Sequence, residues 1–460
     1  MGPASLADRA CPPDFPTTAR CSTLTVPADH ADPAGATIEL PVTVLPATGP
    51  TFAPDPIVVP AGGPGYPGAG ALRWAGSPWN ERRDIVLYDQ RGTGGALPSL
   101  ECPAVDAAFV DALQDDLPYA IERDAMTVAR IACLTELAAA GVDLANYHSE
   151  ASAADLAARR AALGYDEWNI MGVSYGARLA LASMRAQPKG IRSVILDSVY
   201  DVTYGGLADT TAGIEAAIDR FVAGCAADAD CAAKYGDLGA TIERTRQRYN
   251  ASPASITVDL GDGAGPQQFV ITGNDLIAGL FNALYDSDLI PLLPSVIATL
   301  ETGDASVLPA FVQRGVAFAT DYADAMATAV NCADNAALGR GVADAAVFED
   351  PGTLELIVAQ TGLCPPDLTA TPGDFNGPVE SDIPALVLAG SYDPITPPAE
   401  TQAVAERLAN ATFFLVEPGG HGVNSFDDCL IAIGLTFLDD PLAGPGGESC
   451  LAGIPPPTFS

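Results

Sequence analysis

The chain has 460 residues, 48% of them hydrophobic and only 17% charged, which excludes a disordered protein and leaves room for a large core or one core plus a sizeable insertion. Its 58 acidic residues face 22 basic ones, a net charge of -36 that repels nucleic acid and anionic membrane and makes both poor partners. No apolar run approaches the length needed to span a bilayer.

The only lysines are Lys189 and Lys234. The acidity reads as a solubility device or, more sharply, as adaptation to a salty medium in which ions screen the self-repulsion. The opening "MGPASLADRA" lacks an apolar signal core, as expected of a mature chain whose targeting segment has been removed.

In chain order, "TIELPVTVLPA" (37–47) alternates like a strand. "PIVVPAGGPG" (56–65) is a short β-branched run ending in a glycine loop, and "DIVLYDQRGTGG" (84–95) repeats that form. "SAADLAARRAALG" (152–164) has helical periodicity with Ser152 as its cap. Strand "WNIMGV", helix "YGARLALASMRAQP" and strand "RSVILDS" follow. From Val199 to about Ile383 the pattern turns mostly helical, and "ALVLAG", a helix in "PAETQAVAERLA" and strand "TFFLVEPGGHG" then resume the earlier rhythm. Apolar strands separated by helices mean a mostly parallel sheet covered on both faces. The fold class is α/β, with residues 1–200 and 381–460 as the sheet domain. Residues 201–380 form a large, mainly helical cap over the sheet's carboxyl edge, where ligands bind in such folds. The tail "LAGIPPPTFS" reads as irregular.

The ten cysteines form no C-x-x-C pair, so metal spacing is absent and disulfides in an oxidising compartment are expected. Pairing each cysteine with its sequence neighbour closes five short loops, although spacing alone leaves the connectivity open.

The chemistry centres on "NIMGVSYGARLA" (169–180), where Gly172-Val173-Ser174-Tyr175-Gly176 fits G-x-S-x-G between a strand and a helix. In that context Ser174 is a nucleophile on a strained turn, and the helix N-terminus offers N–H groups to a developing oxyanion. A serine nucleophile needs a base oriented by a carboxylate. Of three histidines, His30 precedes the sheet and His148 lies before the helix that leads to the elbow, a surface or capping position. His421 follows a late strand, at the edge where loops converge. The acid is Asp393, which ends the preceding strand in "AGSYDPITPP", with Asp197 of "VILDSVYD" as the alternative. For the oxyanion, Tyr175 supplies one N–H, and the "AGGPGYPG" loop supplies the other through Gly63 or, second, Gly62.

"GGPGYPG", "DQRGTGG", "GVSYGARLAL", "GSYDPITPP" and "GGHGV" occur here in the order seen in secreted tripeptidyl-aminopeptidase-like hydrolases. From about Cys11 to Cys450 the chain resembles this group, relatives of proline iminopeptidase in the α/β-hydrolase superfamily. The resemblance implies a Ser174–Asp393–His421 triad, a helical cap, and a secreted or periplasmic location. It implies cleavage of short N-terminal pieces from peptides, with esterase activity in many members, and no metal or organic cofactor. Asp334 in "AVNCADNAA" matches an acidic position of the group and is a candidate to face substrate. Tyr66 and Pro67 depart from the group's usual loop, and Tyr66 falls close to where substrate should lie.

The expected reaction is acyl transfer on a short peptide or, alternatively, a small ester; a binding protein with a dead triad is the non-enzyme alternative. A monomer is the default. Ser174→Ala is expected to abolish turnover and labelling by a fluorophosphonate probe; a variant that keeps most of its activity overturns the assignment.

Overall fold

The computed structural model describes residues 4–68, 71–204, 207–338, 364, 371 and 373–459. Its short β-branched runs become β1 (Ser5–Asp8), β2 (Arg20–Pro27), β3 (Thr37–Leu45), β4 (Ile57–Val59), β5 (Ile85–Tyr88), β6 (Trp168–Ser174) and β7 (Ile191–Val199). After them come β8 (Ala254–Val258), β9 (Gln267–Ile271), β10 (Ala385–Gly390) and β11 (Ala411–Val416). Nine of these form one sheet in the order β1-β2-β3-β5-β4-β6-β7-β10-β11. The first four in that order pair antiparallel; from β5 onward the pairing is parallel. The fold is that of the α/β hydrolases: the mostly parallel, helix-covered sheet is as the strand and helix pattern predicts, and the hydrolase form as the resemblance implies.

Both faces of the inner parallel strands are buried, which is why they read as continuous apolar runs, while β11 at the sheet's edge is half-buried. Ile57, Val59, Ile85 and Leu87 pack on one side with Trp79 and Phe437. Val58, Val86 and Tyr88 face the other side with Leu156 and Leu179. Because β4 lies between β5 and β6, the loop after β4 and the turn after β6 emerge side by side at the carboxyl edge.

Helices α1 (Ala71–Trp74), α2 (Pro103–Ala112), α3 (Tyr119–Ala139), α4 (Ser149–Leu163) and α5 (Tyr175–Ala186) precede β7. The expected cap at Ser152 is displaced: α4 begins at Ser149, and His148 is its N-cap, its Nδ1 accepting from Ala151 N. Ser152 already donates its backbone N–H to His148 O, so it sits inside the helix. Repeated serine and alanine make several starts equivalent by propensity, and the buried neighbours select one.

Between β7 and β10 lie α6 (Leu207–Ala227), α7 (Ala229–Tyr235), α8 (Leu238–Ala251), α9 (Gly273–Leu284), α10 (Leu293–Glu301), α11 (Leu308–Thr320) and α12 (Asp324–Asn335). Phe221, Leu280, Leu284, Ile290 and Leu293 form a core of this segment's own. It also contains the antiparallel β8–β9 hairpin, which the helical reading missed because its two strands are only five residues each within a mostly helical stretch. Helices α2 and α3 pack onto this segment too: Val270 N donates to Leu113 O, and Arg130 holds Asp324. The tail ends against the same segment, with the Phe459 ring 5.9 Å from that of Phe221. Residues 205–206, 339–363, 365–370 and 372 of the expected cap lie outside the described residues. Helices α13 (Pro398–Arg407) and α14 (Asp428–Asp439) complete the sheet's cover. Among the described residues no helix is long and apolar enough to cross a membrane.

The disulfides are Cys11–Cys21, Cys102–Cys133, Cys225–Cys231, Cys332–Cys364 and Cys429–Cys450, each joining sequence neighbours among the cysteines. Cys102–Cys133 spans 31 residues and staples α2 to α3. Replacing both with serine is expected to cost about 3–4 kcal/mol by loop-closure entropy, read as a lowered unfolding midpoint; an unchanged midpoint contradicts this.

Candidate active site

Ser174 ends β6 and caps α5 with φ 59° and ψ -122°, a conformation costly for any residue with a side chain. The glycines of the motif make it sterically attainable. A Cβ on Gly172 would run into the Gly176 carbonyl, and one on Gly176 into the Pro60 carbonyl. The turn is thus packed too tightly for side chains at either position. The serine is lifted out of the sheet, and the Tyr175 N–H starts α5 directly behind it.

His421 lies in the loop after β11 and is brought to this turn by Gly422, whose Cα faces Val173 at φ 81°. Among the described residues no hydrogen bond joins Ser174 to His421, although their loops are in contact. Asp393, in the loop after β10, is fully buried at its carboxylate and lies 2.9 Å from His421 Nδ1 through Oδ2. Thr396 Oγ1 donates to the same oxygen at 2.6 Å, and the backbone N–H groups of Ile395 and Thr396 donate to Oδ1. Burial alone raises the Asp393 pKa, but His421 and Thr396 more than offset this and hold it below the usual carboxylate range. Burial alone lowers the imidazole pKa; the Asp393 charge and hydrogen bond, with Asp197 adding to them, reverse this and hold it above the usual histidine value.

Asp197, the alternative acid, does not hydrogen-bond His421. Its Oδ2 accepts from Asn424 N and Nδ2, both at 2.7 Å, and burial raises its pKa. Ser198 Oγ accepts from Gly422 N at 2.9 Å. These two residues at the end of β7 therefore grip the histidine loop on one side. On the other side, Tyr285 O accepts from His421 N at 2.9 Å, Ser287 Oγ accepts from Gly420 N, and the Tyr285 ring lies 4.8 Å from the imidazole.

The loop after β4 passes close to Ser174. A Cβ at Gly62 would sit 3.6 Å from Ser174 Cβ, and Gly63 lines the cleft at φ 111°, where side chains are strained. The "DQRGTGG" run buttresses this loop. Gln90 Nε2 donates to Ala61 O, and Asp89 accepts from Gly68 N and Gly95 N. Arg91, fully buried, holds Asp155 through two hydrogen bonds of 2.8 Å, and His30 Nε2 lies 2.8 Å from the same carboxylate. His30 and His148 are thus structural, away from the cleft.

A cleft of about 160 Å³ opens above Ser174. Tyr66, Tyr285, Phe318 and Tyr322 form an aromatic wall, and Tyr66 Oη donates to Phe318 O. Asp334 does not reach this cleft, contrary to expectation. It is fully buried, its carboxylate accepting from Ser149 N, Ser149 Oγ and Thr371 Oγ1. It lies on a face of α12 turned toward α4, whereas Asp324, Ala327, Thr328 and Asn331 of the same helix line the cleft. Those four were not foreseen; their i, i+3, i+4, i+7 spacing marks one helix face, but nothing local says what that face meets. Among the described residues no cluster of ligating side chains suits a metal ion.

Known proteins carry related sequences. The α/β hydrolase fold family matches residues 55–224, and the TAP-like protein family matches residues 367–450. The serine protease Hip1 of Mycobacterium tuberculosis is 26% identical, over 95% of this chain and 88% of its own length. A carboxylesterase B of the same organism is 27% identical, over 62% of this chain and 55% of its own. The tripeptidyl aminopeptidase of Streptomyces lividans is 28% identical, over 56% of this chain and 50% of its own. The chain spans about half the length of these last two.

A base that accepts the Ser174 proton must be neutral. With the His421 pKa raised, activity should climb with pH through a value above the ordinary histidine range. Asp393→Asn removes the main raising influence, so that limb should move to lower pH while kcat falls about 10⁴-fold. A limb that stays in place contradicts the electrostatic account.

Proposed function

From its membership of the TAP-like α/β-hydrolase family we infer that this serine hydrolase is an exported, exo-acting aminopeptidase that releases short N-terminal pieces from peptides. The observation that carries this reading is the shape of the cleft. Ser174 lines it together with residues of α9, α11 and α12, so helices of the segment between β7 and β10 cover the serine, an arrangement that suits a chain end better than the middle of an extended polypeptide. Five disulfides favour an oxidising location, secreted or periplasmic. In this reading, residues 1–200 and 381–460 form the catalytic domain, and residues 201–380 the cap that selects substrate.

The chemistry follows from the geometry above. Ser174 attacks the scissile carbonyl carbon as His421 takes its proton, and Asp393 holds the imidazole tautomer and stabilises the imidazolium. The N–H groups of Tyr175 and of Gly63, or of Gly62, receive the oxyanion. His421 then protonates the leaving amine, and a water activated by the same imidazole hydrolyses the acyl-enzyme.

A second reading, a carboxylesterase on small acyl esters, is favoured by one observation. Asp324 is the carboxylate among the described cleft residues, and Arg130 holds both of its oxygens at 2.8 Å. It therefore offers an arriving α-ammonium a compensated charge, and an ester needs no such anchor.

The two readings separate with p-nitrophenyl butyrate and Ala-Ala-Pro-p-nitroanilide, the anilide with free and with blocked N-terminus. Cleavage of the free anilide and not the blocked one is the expected result. Rapid ester cleavage without anilide turnover overturns the peptidase reading in favour of the second.

A further inference from the structure

Helix α12 turns Asp324, Ala327, Thr328 and Asn331 toward the cleft. This face is fixed against the loop that carries Gly63. Ala323 N donates to Gly65 O at 2.9 Å, and a Cβ at Gly65 would meet Tyr322 at 2.8 Å and Ala327 at 3.4 Å. At its other end, Cys332 follows Asn331 directly and is bonded to Cys364. This helix face is therefore held by packing against the loop that passes Ser174.

The polar groups around the cleft differ in what they have left to give. Asp324 is engaged by Arg130, Tyr66 Oη by Phe318 O, Thr396 Oγ1 by Asp393, and the Tyr200 hydroxyl accepts from Asn335 Nδ2. The side chains of Thr328 and Asn331 hydrogen-bond no other described residue. Thr328 is only 2% exposed, and its hydroxyl lacks even the bond to its own preceding turn that buried helical threonines commonly make. Both side chains line the cleft, so their polar groups are left to bond water or whatever enters it.

We propose that Thr328 and Asn331 are the specificity-determining residues of this cleft and hydrogen-bond the backbone amide groups on the acyl side of a short peptide substrate. The proposal rests on the reading of the cleft as the place where substrate meets Ser174. A carboxamide offers two N–H donors and a carbonyl acceptor, and a hydroxyl offers one donor and two lone pairs. A peptide unit brings the complementary C=O and N–H. An alkyl acyl chain brings neither and leaves both side chains unsatisfied as it displaces water from them. The aromatic wall of Tyr66, Tyr285 and Phe318 packs equally against either substrate, so peptide is told from simple acyl group by these two side chains.

The test compares benzyl thioesters of Ala-Ala-Pro and of butyric acid on the wild type, Asn331→Leu and the near-isosteric Thr328→Val. A thioester is a far easier bond to break than an anilide, so acyl-side recognition is read whether or not amides are cleaved. Each substitution should lower kcat/KM for the peptidyl thioester about tenfold, mostly through KM, and leave the butyryl thioester within about twofold of wild type. Equal losses on both substrates, or no loss on either, overturn the proposal. Failure of the wild type on anilides overturns the peptidase reading instead, and the thioester comparison still decides the role of Asn331 and Thr328.

Discussion

The strained turn at Ser174 is the constraint from which the rest of the site follows. A residue with φ 59° at the end of a buried strand persists only where its neighbours leave no other path. Here the neighbours are backbone: the Gly176 and Pro60 carbonyls occupy the space that side chains at Gly172 and Gly176 would need. Sheet, turn and helix interlock without room to relax. The same interlock brings the loop after β4 against the serine, so the hydroxyl and the candidate oxyanion donors are positioned by one packing arrangement.

The histidine arm is built differently. Its loop is held by hydrogen bonds from two directions, Asp197 and Ser198 at the end of β7, and Tyr285 and Ser287 beyond the end of α9. The imidazole is thereby tied to the segment that walls the cleft. A displacement of the Tyr285 region would shift the imidazole as well as the cleft wall. Burial would leave a lone imidazole uncharged; the Asp393 carboxylate opposes that and favours its charged form.

Charge is distributed unevenly between surface and interior. The surface is acidic, whereas several arginines are spent inside. Arg91 on Asp155 and Arg130 on Asp324 are both at most 3% exposed at the side chain, and Arg178 lies over the Tyr200 ring. Guanidinium suits this use because it satisfies a carboxylate with two parallel hydrogen bonds and stacks on aromatic faces. Arg130–Asp324 links α3 to α12 and so helps set where the cleft face of α12 stands.

Much of this was legible from local pattern. The parallel strands, the strand–turn–helix around Ser174 and the glycine loop after β4 are readable because backbone sterics and strand burial act between residues close in sequence. What depended on distant contacts was not. Sequence left Asp393 and Asp197 both open as partners of His421, since both end strands at the same edge; only the packed loops show one bonded to the imidazole and the other to Asn424. Asp334 and Asn331 lie three residues apart on one helix, and periodicity cannot say which face meets a cleft. Tertiary packing decided that Asp334 is buried against Ser149 and Thr371 while Asn331 faces the space above Ser174, because a helix face acquires its meaning only from what packs against it.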